Sequence, residues 1–559
     1  MKRGKFSQKA GQQMGAALEV TIAERPFSDR VEILLARRAT LLVLALIVFG
    51  SLRIVATYPV FNHTCDEPAH IACGMEWLDH GTYRLEPQHP PLTRVMVALG
   101  PYLAGARSDS ILYGRNADGK YDLRLALARA GNLPFFWLAC WMVFLWGSRI
   151  LGPAGGVVAV LMFTMIPTTL AHAGLATTDM GVTACFTAAV YASFQLAERP
   201  GLKSAIWLGA ALGLMVLSKF SALVFYPAAI VAVVTCWACS VRPAIGELGR
   251  LVSSRLRWIA LAVLFSLLII WAGYRFSFGK SAWFSFPVPF PELYAGIQQV
   301  IDHNASGHLS YFLGELRMDG WWTFFPILTM VKLPLAFLAL LAFGLWLGNS
   351  KAGGPAKAWP FAMAWAVPSA IYAVALLSRI NIGMRHILPA FPFLAIIAAG
   401  GSLGLLRKGN RMTGAPWIAF AVLAWLCINS LAAHPDYLAY FNAIAGREPE
   451  RIVVDSDLDW GQDIKRLGQR LRELRAPSVS FTPTIGISLA ALGFPPNQQN
   501  QPDSPAPGWN AVEVLQWKRN RMGLSWREKD QRTWPDFFKP TERVGKSILL
   551  YYVPPRAGR

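Results

Sequence analysis

Apolar runs of about 20 residues recur along most of this chain, and no other feature constrains its fold as strongly. A membrane-spanning helix needs such a run because the hydrocarbon core of a bilayer is about 30 Å thick. Only 15% of the 559 residues are charged, whereas soluble domains carry about 25%. The sequence therefore predicts an α-helical polytopic membrane protein and excludes a soluble globular fold.

The apolar runs predict about eleven transmembrane helices, of which the first is an uncleaved span. They cover residues 40–57, 131–150, 154–170, 180–197, 203–218, 221–240, 257–276, 324–347, 359–378, 387–405 and 416–433. The net charge of +20 is divided among short basic clusters between the runs. These clusters fall on the same side as Arg37 and Arg38. This pattern is typical of cytoplasmic loops and not of a nucleic-acid-binding patch.

One apolar segment, "PLTRVMVALGPYLAG" (91–105), is too short for a crossing, and it begins at a pair of prolines. We expect it to form a helix in the outer interface. If it crossed the membrane, all later basic clusters would change sides.

The pattern divides the chain into three parts. Residues 1–39 form a cytoplasmic segment, and residues 40–433 form the transmembrane domain, with outer loops at 58–130 and 277–323. Residues 434–559 are polar. In that part, "RIVVDSDLDWGQDIKRLGQRLRELR" predicts a strand, a loop and an amphipathic helix, and "KSILLYYVPP" predicts a late strand. A small extracytoplasmic α/β domain is expected here.

The motif "DEPAH" places Asp66 and Glu67 side by side, directly after the first span. Pro68 suits the first turn of a helix, and an acidic residue before it caps the exposed backbone N–H groups. One carboxylate is enough for a cap, so the other is left to face a substrate. The motif fits a capped interfacial helix and a catalytic site equally well.

Three further residues stand where they are able to join Asp66 and Glu67. His89 lies in the turn "QHPPL", and Asp179 in "ATTD" opens a span, where it also makes an ordinary helix cap. Lys332 lies inside an apolar run. A charge at that depth usually faces a cavity, although a lysine near a helix end also reaches the interface by snorkelling.

The outer turn "SRINIGMRH" carries three more candidates, Arg379, Arg385 and His386. The positive-inside rule does not predict cations on this side, so the turn favours an anionic ligand. Carboxylates beside cations suit a reaction in which a lipid phosphate leaves and a hydroxyl or amine attacks. A general base must lie near the acceptor, and the departing phosphate needs positive charge.

In its order "DEPAH … HPPL … ATTD", the sequence resembles the GT-C fold glycosyltransferases. The most similar group is that of the protein O-mannosyltransferases and aminoarabinose transferases (glycosyltransferase family 39-like). Later strings, "NIGMRHILPAFPF" (381–393) and "DSDLDWGQDIKRL" (455–467), resemble bacterial members of the group. The resemblance implies transfer of a sugar from a polyprenyl-phosphate donor, on the outer face of a bacterial inner membrane, to a protein, lipid or glycan acceptor with a hydroxyl or amine group.

The resemblance also implies roles for individual residues. Asp66 matches the catalytic Asp of the first loop and would act as general base in an inverting transfer, with Glu67 as its acidic neighbour. Asp179 matches the acidic residue of the second outer loop, and His89 falls in the HPPL motif. The aminoarabinose-transferase branch has an acidic residue, tied to metal binding, where His89 stands. A divalent cation is therefore compatible with the sequence but not required by it.

Two other classes of function stay open at this stage. A transporter also has many spans and intramembrane charges, but its charges gather near the midplane and its halves often repeat. A lipid-carrier-binding subunit without catalytic activity would have the same anion site. The clustering of charge at one surface favours the transferase.

Overall fold

The structure, a computed structural model, describes residues 26–108, 119–349, 355–408, 414–524 and 531–555. This part of the chain is mostly helical. The helices of its first half are α1 (Phe27–Arg37), α2 (Ala39–Val55), α3 (Glu67–Asp79), α4 (Pro91–Leu103), α5 (Tyr121–Ala130), α6 (Leu133–Leu151), α7 (Pro153–Thr164), α8 (Pro167–Ala173), α9 (Asp179–Glu198), α10 (Leu202–Val216), α11 (Ala222–Val241) and α12 (Ile245–Gly273).

Short strands and further helices make up the second half. They are β1 (Phe278–Ser281), β2 (Phe284–Pro289), α13 (Pro291–Ser306), β3 (Ser310–Phe312), β4 (Glu315–Arg317), α14 (Phe324–Lys332), α15 (Leu335–Asn349), α16 (Pro355–Ala375), α17 (Phe391–Lys408), α18 (Ala415–Ala432), α19 (Ile464–Glu473), β5 (Val479–Ser480), β6 (Asn497–Gln498), β7 (Gly508–Glu513), α20 (Val514–Lys518), β8 (Glu542–Val544) and β9 (Ile548–Val553). A 3-10 turn, Met384–Ala390, leads into α17.

Helices long and apolar enough to cross a membrane dominate the described residues. Six qualify alone, and up to nine qualify if each of three bent helix pairs is one span. Two other predicted crossings correspond to shorter apolar helices, Leu202–Val216 and Met363–Ala375. Every predicted run is thus helical, and the prediction of a mostly helical chain with several apolar helices long enough to cross a membrane is confirmed. The count of eleven crossings stays a prediction.

The break between α14 and α15 has a local cause and a consequence for the site. Pro334 follows Lys332 by two residues, and a proline disfavours helical backbone in the residue before it. The two helices meet at 116°. Lys332 therefore lies at a bend, beside the turns that leave the bundle.

The bundle is packed around α17, which contacts α6, α7, α15 and α18. Small residues allow close approach at other crossings. At Gly74, on α3, a side chain would overlap the carbonyl group of Arg94 on α4. The predicted short segment 91–105 is α4, which is not among the candidate spans and packs against α3 and α5.

Basic residues gather at the end of the bundle opposite to Asp179, the first residue of α9. Arg149, near the end of α6, forms an ion pair with Glu198, near the end of α9. Arg255 donates to the Ala197 carbonyl over 2.8 Å, and Arg407 pairs with Glu32 at 2.8 Å. These contacts agree with the prediction that the basic clusters share one side. Lys351 and Arg411, which belong to two further basic clusters of the sequence, lie outside the described residues.

The C-terminal part contains a five-stranded sheet of order β6-β5-β7-β9-β8. Strand β5 pairs in parallel with β6 and β7, and β9 pairs antiparallel with β7 and β8. Ile464, Leu467 and Leu471 place α19 against this sheet. The predicted helix and late strand are α19 and β9. The predicted strand at "RIVV" is wrong: Val453 forms only an isolated bridge with Phe312, because Pro449–Arg451 is a 3-10 turn.

Candidate active site

Three loops that are far apart in sequence meet at one end of the bundle. In the first outer loop, Asn62 donates to the Gly461 carbonyl over 2.7 Å and accepts from the Lys465 backbone N–H at 2.9 Å. The outer turn joins them through Arg385, which donates to Asp66. The predicted sharing of one face by the first loop, the outer turn and the C-terminal part is thus present in the structure.

Asp66 and Arg385 form the ion pair at the centre of this junction. The Arg385 NH1 group lies 2.7 Å from Asp66 Oδ2, and the two side chains are 8% and 32% exposed, respectively. Asp66 occupies the cap position of α3, yet its side chain makes no capping hydrogen bond. Its carboxylate is therefore directed to Arg385, and the Asp66 side chain does not act as the helix cap that "DEPAH" also predicts.

The turn that carries Arg385 is fixed by the segment after Val454. The indole ring of Trp460 lies 4.3 Å from the Arg385 guanidinium carbon, a cation–π contact. The Asp457 carboxylate accepts the Met384 N–H at 3.2 Å. Arg385 Nε is buried without a hydrogen-bond partner in the described part of the chain. The guanidinium is held in place while one of its N–H groups stays available.

A second ion pair stands beside the first. Lys219 Nζ lies 2.6 Å from Asp179 Oδ1, and the Asp179 side chain is 1% exposed. Its other oxygen, Oδ2, has no hydrogen-bond partner among the described residues. Arg385 and His172 also interact electrostatically with Asp179. Two carboxylates and two cations thus alternate within one small region.

Glu67 is enclosed instead of exposed. Its Oε1 accepts from Arg129 Nε at 2.8 Å and from the Ala176 N–H at 2.9 Å. Its Oε2 accepts from Arg129 NH2 and the Thr64 N–H, both at 2.8 Å. Burial raises the pKa of Glu67, but the Arg129 charge and these hydrogen bonds outweigh burial and hold it below its usual value. Glu67 ties α3 to α5 and the Ala176 loop, and does not reach the surface of the site.

His89 lies at the edge of the same region. Its Nδ1 is 3.3 Å from Arg94 NH2, its carbonyl accepts from Tyr83 Oη at 2.6 Å, and its ring meets His70 edge-on at 5.1 Å. Burial, with Lys219 as the next cause, lowers the pKa of His89 to about 4. The ring is therefore neutral at neutral pH.

The remaining predicted residues occupy different positions. Lys332 is 1% exposed, and its Nζ donates to the Leu438 carbonyl at 2.6 Å and the Asp457 carbonyl at 2.7 Å. His386 is adjacent to Arg385, with Nε2 buried and unpartnered among the described residues. Arg379 is exposed and donates to the Ala305 carbonyl at 3.2 Å. Lys332 and Arg379 contact backbone groups, whereas His386 lies within electrostatic range of Lys219 and Asp179.

Sequence reasoning missed several residues that shape the site. The signal for Lys219 was available, since it is the single charged residue between Lys203 and Arg242. Arg129 and Trp460 gave no signal of their own, because each acts on a residue that is distant in the sequence. Glu67, the partner of Arg129, lies 62 positions earlier, and Arg385, the partner of Trp460, lies in another loop. Within the described residues, no group of three or more His, Cys, Asp or Glu side chains is arranged to hold a metal ion.

The geometry agrees with what comparisons with known proteins show. Residues 135–253 match the family model of dolichyl-phosphate-mannose-protein mannosyltransferase. The structure matches ArnT from Cupriavidus metallidurans, solved with undecaprenyl phosphate, with a TM-score of 0.51 and 14% identity over 91% of this chain and 97% of that one. The chain has the GT-C fold. The predicted resemblance to GT-C glycosyltransferases is confirmed.

A second solved structure agrees. The S. cerevisiae protein O-mannosyltransferase Pmt1-Pmt2 complex, bound to its sugar donor, matches with a TM-score of 0.52 and 12% identity over 71% of this chain and 90% of that chain. No curated protein matches the sequence. At these identities the solved structures establish the fold, and the activity must be argued from the residues of the site.

Proposed function

We propose that this protein is a membrane glycosyltransferase that moves a sugar from a polyprenyl-phosphate donor to an acceptor. The observation that carries the proposal is the Asp66–Arg385 pair. Of the three predicted carboxylates, Asp66 alone is substantially exposed, at 32%, while Asp179 is 1% and Glu67 0% exposed. A base must reach a water-borne acceptor, and Asp66 is the carboxylate that does.

The transfer that we propose inverts the anomeric carbon. An acceptor oxygen or nitrogen attacks this carbon and forms the new glycosidic bond while the bond from carbon to the phosphate oxygen breaks. Polyprenyl phosphate leaves with the electron pair of that bond. The proton of the attacking group passes to an Asp66 carboxylate oxygen. Such general-base assistance is typically worth about 10²–10⁴-fold in rate.

The resting ion pair suits this sequence because Arg385 has two possible anionic partners. A guanidinium binds phosphate oxygens through its planar N–H groups, and Arg385 Nε is free of protein partners in the described residues. When a donor phosphate binds Arg385, the ion pair between Arg385 and Asp66 is weakened, and Asp66 becomes available as a base. Lys219, across the Asp179 carboxylate, supplies the second positive charge near the leaving group.

The other predicted residues support this arrangement in different ways. The free Asp179 Oδ2 is placed to accept a hydrogen bond from a donor-sugar hydroxyl. His89 and His386 contribute neutral or buried rings at the rim, and Lys332 holds the backbone of Asp457, which in turn holds Met384. Glu67 positions α3. Arg379, which lies on the same outer turn as Arg385, is exposed and donates to the Ala305 carbonyl, so it is not assigned a contact with the substrate.

The proposed topology places this site on the periplasmic or extracellular side of a bacterial inner membrane. Its support is the separation of the basic contacts, such as Arg149–Glu198, from the loops around Asp66. We also propose the division into a cytoplasmic segment (1–39), a transmembrane domain (40–433) and an extracytoplasmic part (434–559). Cysteine labelling near Gly81 and Asp503 tests it, because labelling from opposite faces would contradict a shared site.

A transfer assay in detergent tests the function itself. The purified chain should release polyprenyl phosphate from a polyprenyl-phosphate-linked sugar when an extract containing the acceptor is supplied. The assay contains no closed vesicles, so a transporter would give no product. Binding of the donor without its consumption, under conditions where an established transferase turns over, would favour a non-catalytic lipid-carrier-binding subunit.

A further inference from the structure

A cavity of about 340 Å³ lies outside the site just described. One wall is the hairpin formed by β3 and β4, and the other is the chain at the end of α20. Its side-chain lining is Tyr311, Glu315, Leu316, Arg317, Lys518 and Arg521. None of these residues takes part in the Asp66–Arg385 region, and none lies in a candidate membrane span.

The two walls of this cavity are joined into one structure. The Leu313 N–H donates to the Ile452 carbonyl over 2.9 Å, and Phe312 forms a bridge with Val453. Tyr311 and Leu316 also pack into the apolar cluster that contains Leu515 and Met522. The hairpin is therefore anchored to the C-terminal part by backbone and side-chain contacts, so the cavity is a fixed feature of this interface.

Among the residues that the structure describes, positive charge exceeds negative charge in the lining of the cavity. Glu315 pairs with Arg317 at 2.7 Å. Lys518 and Arg521 form no ion pair with any described residue; Lys518 lies over the Trp517 ring at 3.3 Å. Acidic groups nearby are engaged elsewhere: Glu450 with Arg543, and Asp536 with Thr533 and Trp517.

Arg521 has a buried N–H group that is not hydrogen-bonded to any described residue. One end of its guanidinium donates to the Gln531 carbonyl, which fixes the group in place. Its Nε is buried and has no hydrogen-bond partner among the described residues. Buried N–H groups are nearly always paired, so this one is suited to a ligand or an ordered water.

We propose that this cavity binds an anionic group, a phosphate or carboxylate, carried by the acceptor of the transfer reaction. The inference rests on the proposed function and adds a property of the acceptor to it. The volume is in the range of small-ligand pockets and fits one sugar unit with its charged group. Arg519, which lies between Lys518 and Arg521 in the sequence, pairs with Asp455. Trp460, five residues after Asp455, contacts Arg385.

A water-borne acceptor is favoured over a lipid headgroup as the source of the anion. The lining comes from the hairpin and the C-terminal part, and four of its six side chains are charged.

Phosphate binding to the purified chain tests the proposal without any need for transfer. The titration uses inorganic phosphate in detergent, in an Arg385→Gln background that removes the phosphate ligand of the transfer site. We expect saturable binding that Lys518→Gln and Arg521→Gln each weaken at least about tenfold. Lys518→Arg should retain binding, because the charge is kept. Lys539→Gln, which removes an exposed charge from the same part of the chain, is the matched control and should have no effect.

Three outcomes would overturn the proposal. The first is the absence of saturable phosphate binding, and the second is equal binding by Lys518→Gln and the Lys539→Gln control. The third is that phosphate binds in phosphatidylcholine nanodiscs but not in nanodiscs that contain phosphatidylglycerol. The last result would assign the cavity to a lipid headgroup. A chain that binds phosphate here but transfers no sugar would disprove the proposed function and leave the anion site standing.

Discussion

Arg385 donates a hydrogen bond of 2.7 Å to Asp66, which lies 319 positions earlier in the chain. This contact joins the loop after the first span to the turn before α17, the helix around which the bundle is packed. A carboxylate and a guanidinium in contact at an accessible surface are suited to exchange partners when an anionic substrate arrives. The following predictions test that arrangement.

Asp66→Asn should lower turnover by at least about 100-fold, because it removes a general base while keeping the shape of the side chain. Donor binding and the unfolding midpoint should change little, since Asp66 is partly exposed. The assay is release of polyprenyl phosphate under saturating donor. Asp122→Asn, which alters a carboxylate that is 63% exposed in the same outer region, is the control. If Asp66→Asn were as active as this control while Asp179→Asn abolished transfer, the two aspartates would have the reverse roles.

The part of this site that can be predicted from the sequence is the part that lies in short local motifs. "DEPAH" and "NIGMRH" named Asp66 and Arg385, because carboxylates after a span and cations on an outer turn both need an explanation. The burial of Glu67 was not predictable, since it depends on Arg129, an ordinary arginine in "LARAG". The helical segments followed from hydropathy. The bend after Lys332 does not follow from hydropathy; its signal is Pro334, which disfavours helical backbone in the residue before it.

Arg385→Lys should weaken donor binding, because an ammonium group lacks the planar fork that matches phosphate oxygens. We expect a rise in the donor Kd of about tenfold or more, from the loss of a charge-assisted hydrogen bond. Arg379→Lys is the matched control, because Arg379 lies on the same turn but is exposed and donates a hydrogen bond to the Ala305 carbonyl. An unchanged donor Kd in Arg385→Lys, or an equal loss in the control, would remove Arg385 from the phosphate site.

Glu67→Gln should act on stability more than on chemistry. The substitution leaves Arg129 charged and buried without its partner, and breaking a buried ion pair in this way costs about 3–5 kcal/mol. The expected result is a marked fall in the unfolding midpoint. The double variant Glu67→Gln/Arg129→Met, which removes both charges, should recover part of the loss. A Glu67→Gln protein with normal stability and no transfer activity would instead place Glu67 in the chemistry.

The C-terminal part should respond to pH through Asp459. Burial raises the pKa of Asp459 to about 7. The folded state therefore holds the proton more tightly than the unfolded state, in which the pKa is about 4. The stability gained from neutral Asp459 is complete below about pH 4 and is lost as the pH rises through about 7.

Asp459→Asn removes this titration. Its free energy of unfolding relative to wild type should increase between pH 5 and pH 8 by about 1–4 kcal/mol. Chemical unfolding followed by tryptophan fluorescence measures the difference. A free-energy difference for Asp459→Asn that does not vary with pH would show that Asp459 stays charged in the folded protein.

Trp460→Leu tests whether the C-terminal part shapes the transfer site. The Trp460 ring faces the Arg385 guanidinium at 4.3 Å, and a cation–π contact contributes about 0.5–2 kcal/mol. Its loss should weaken donor binding by about 2–30-fold, while Trp460→Phe, which keeps an aromatic face, should lose less. Trp517→Leu, whose ring packs near Lys518 instead, controls for the loss of an indole and should leave the donor Kd unchanged. If Trp460→Leu and Trp460→Phe bound donor equally well, the ring would fill space beside Arg385 without orienting its charge.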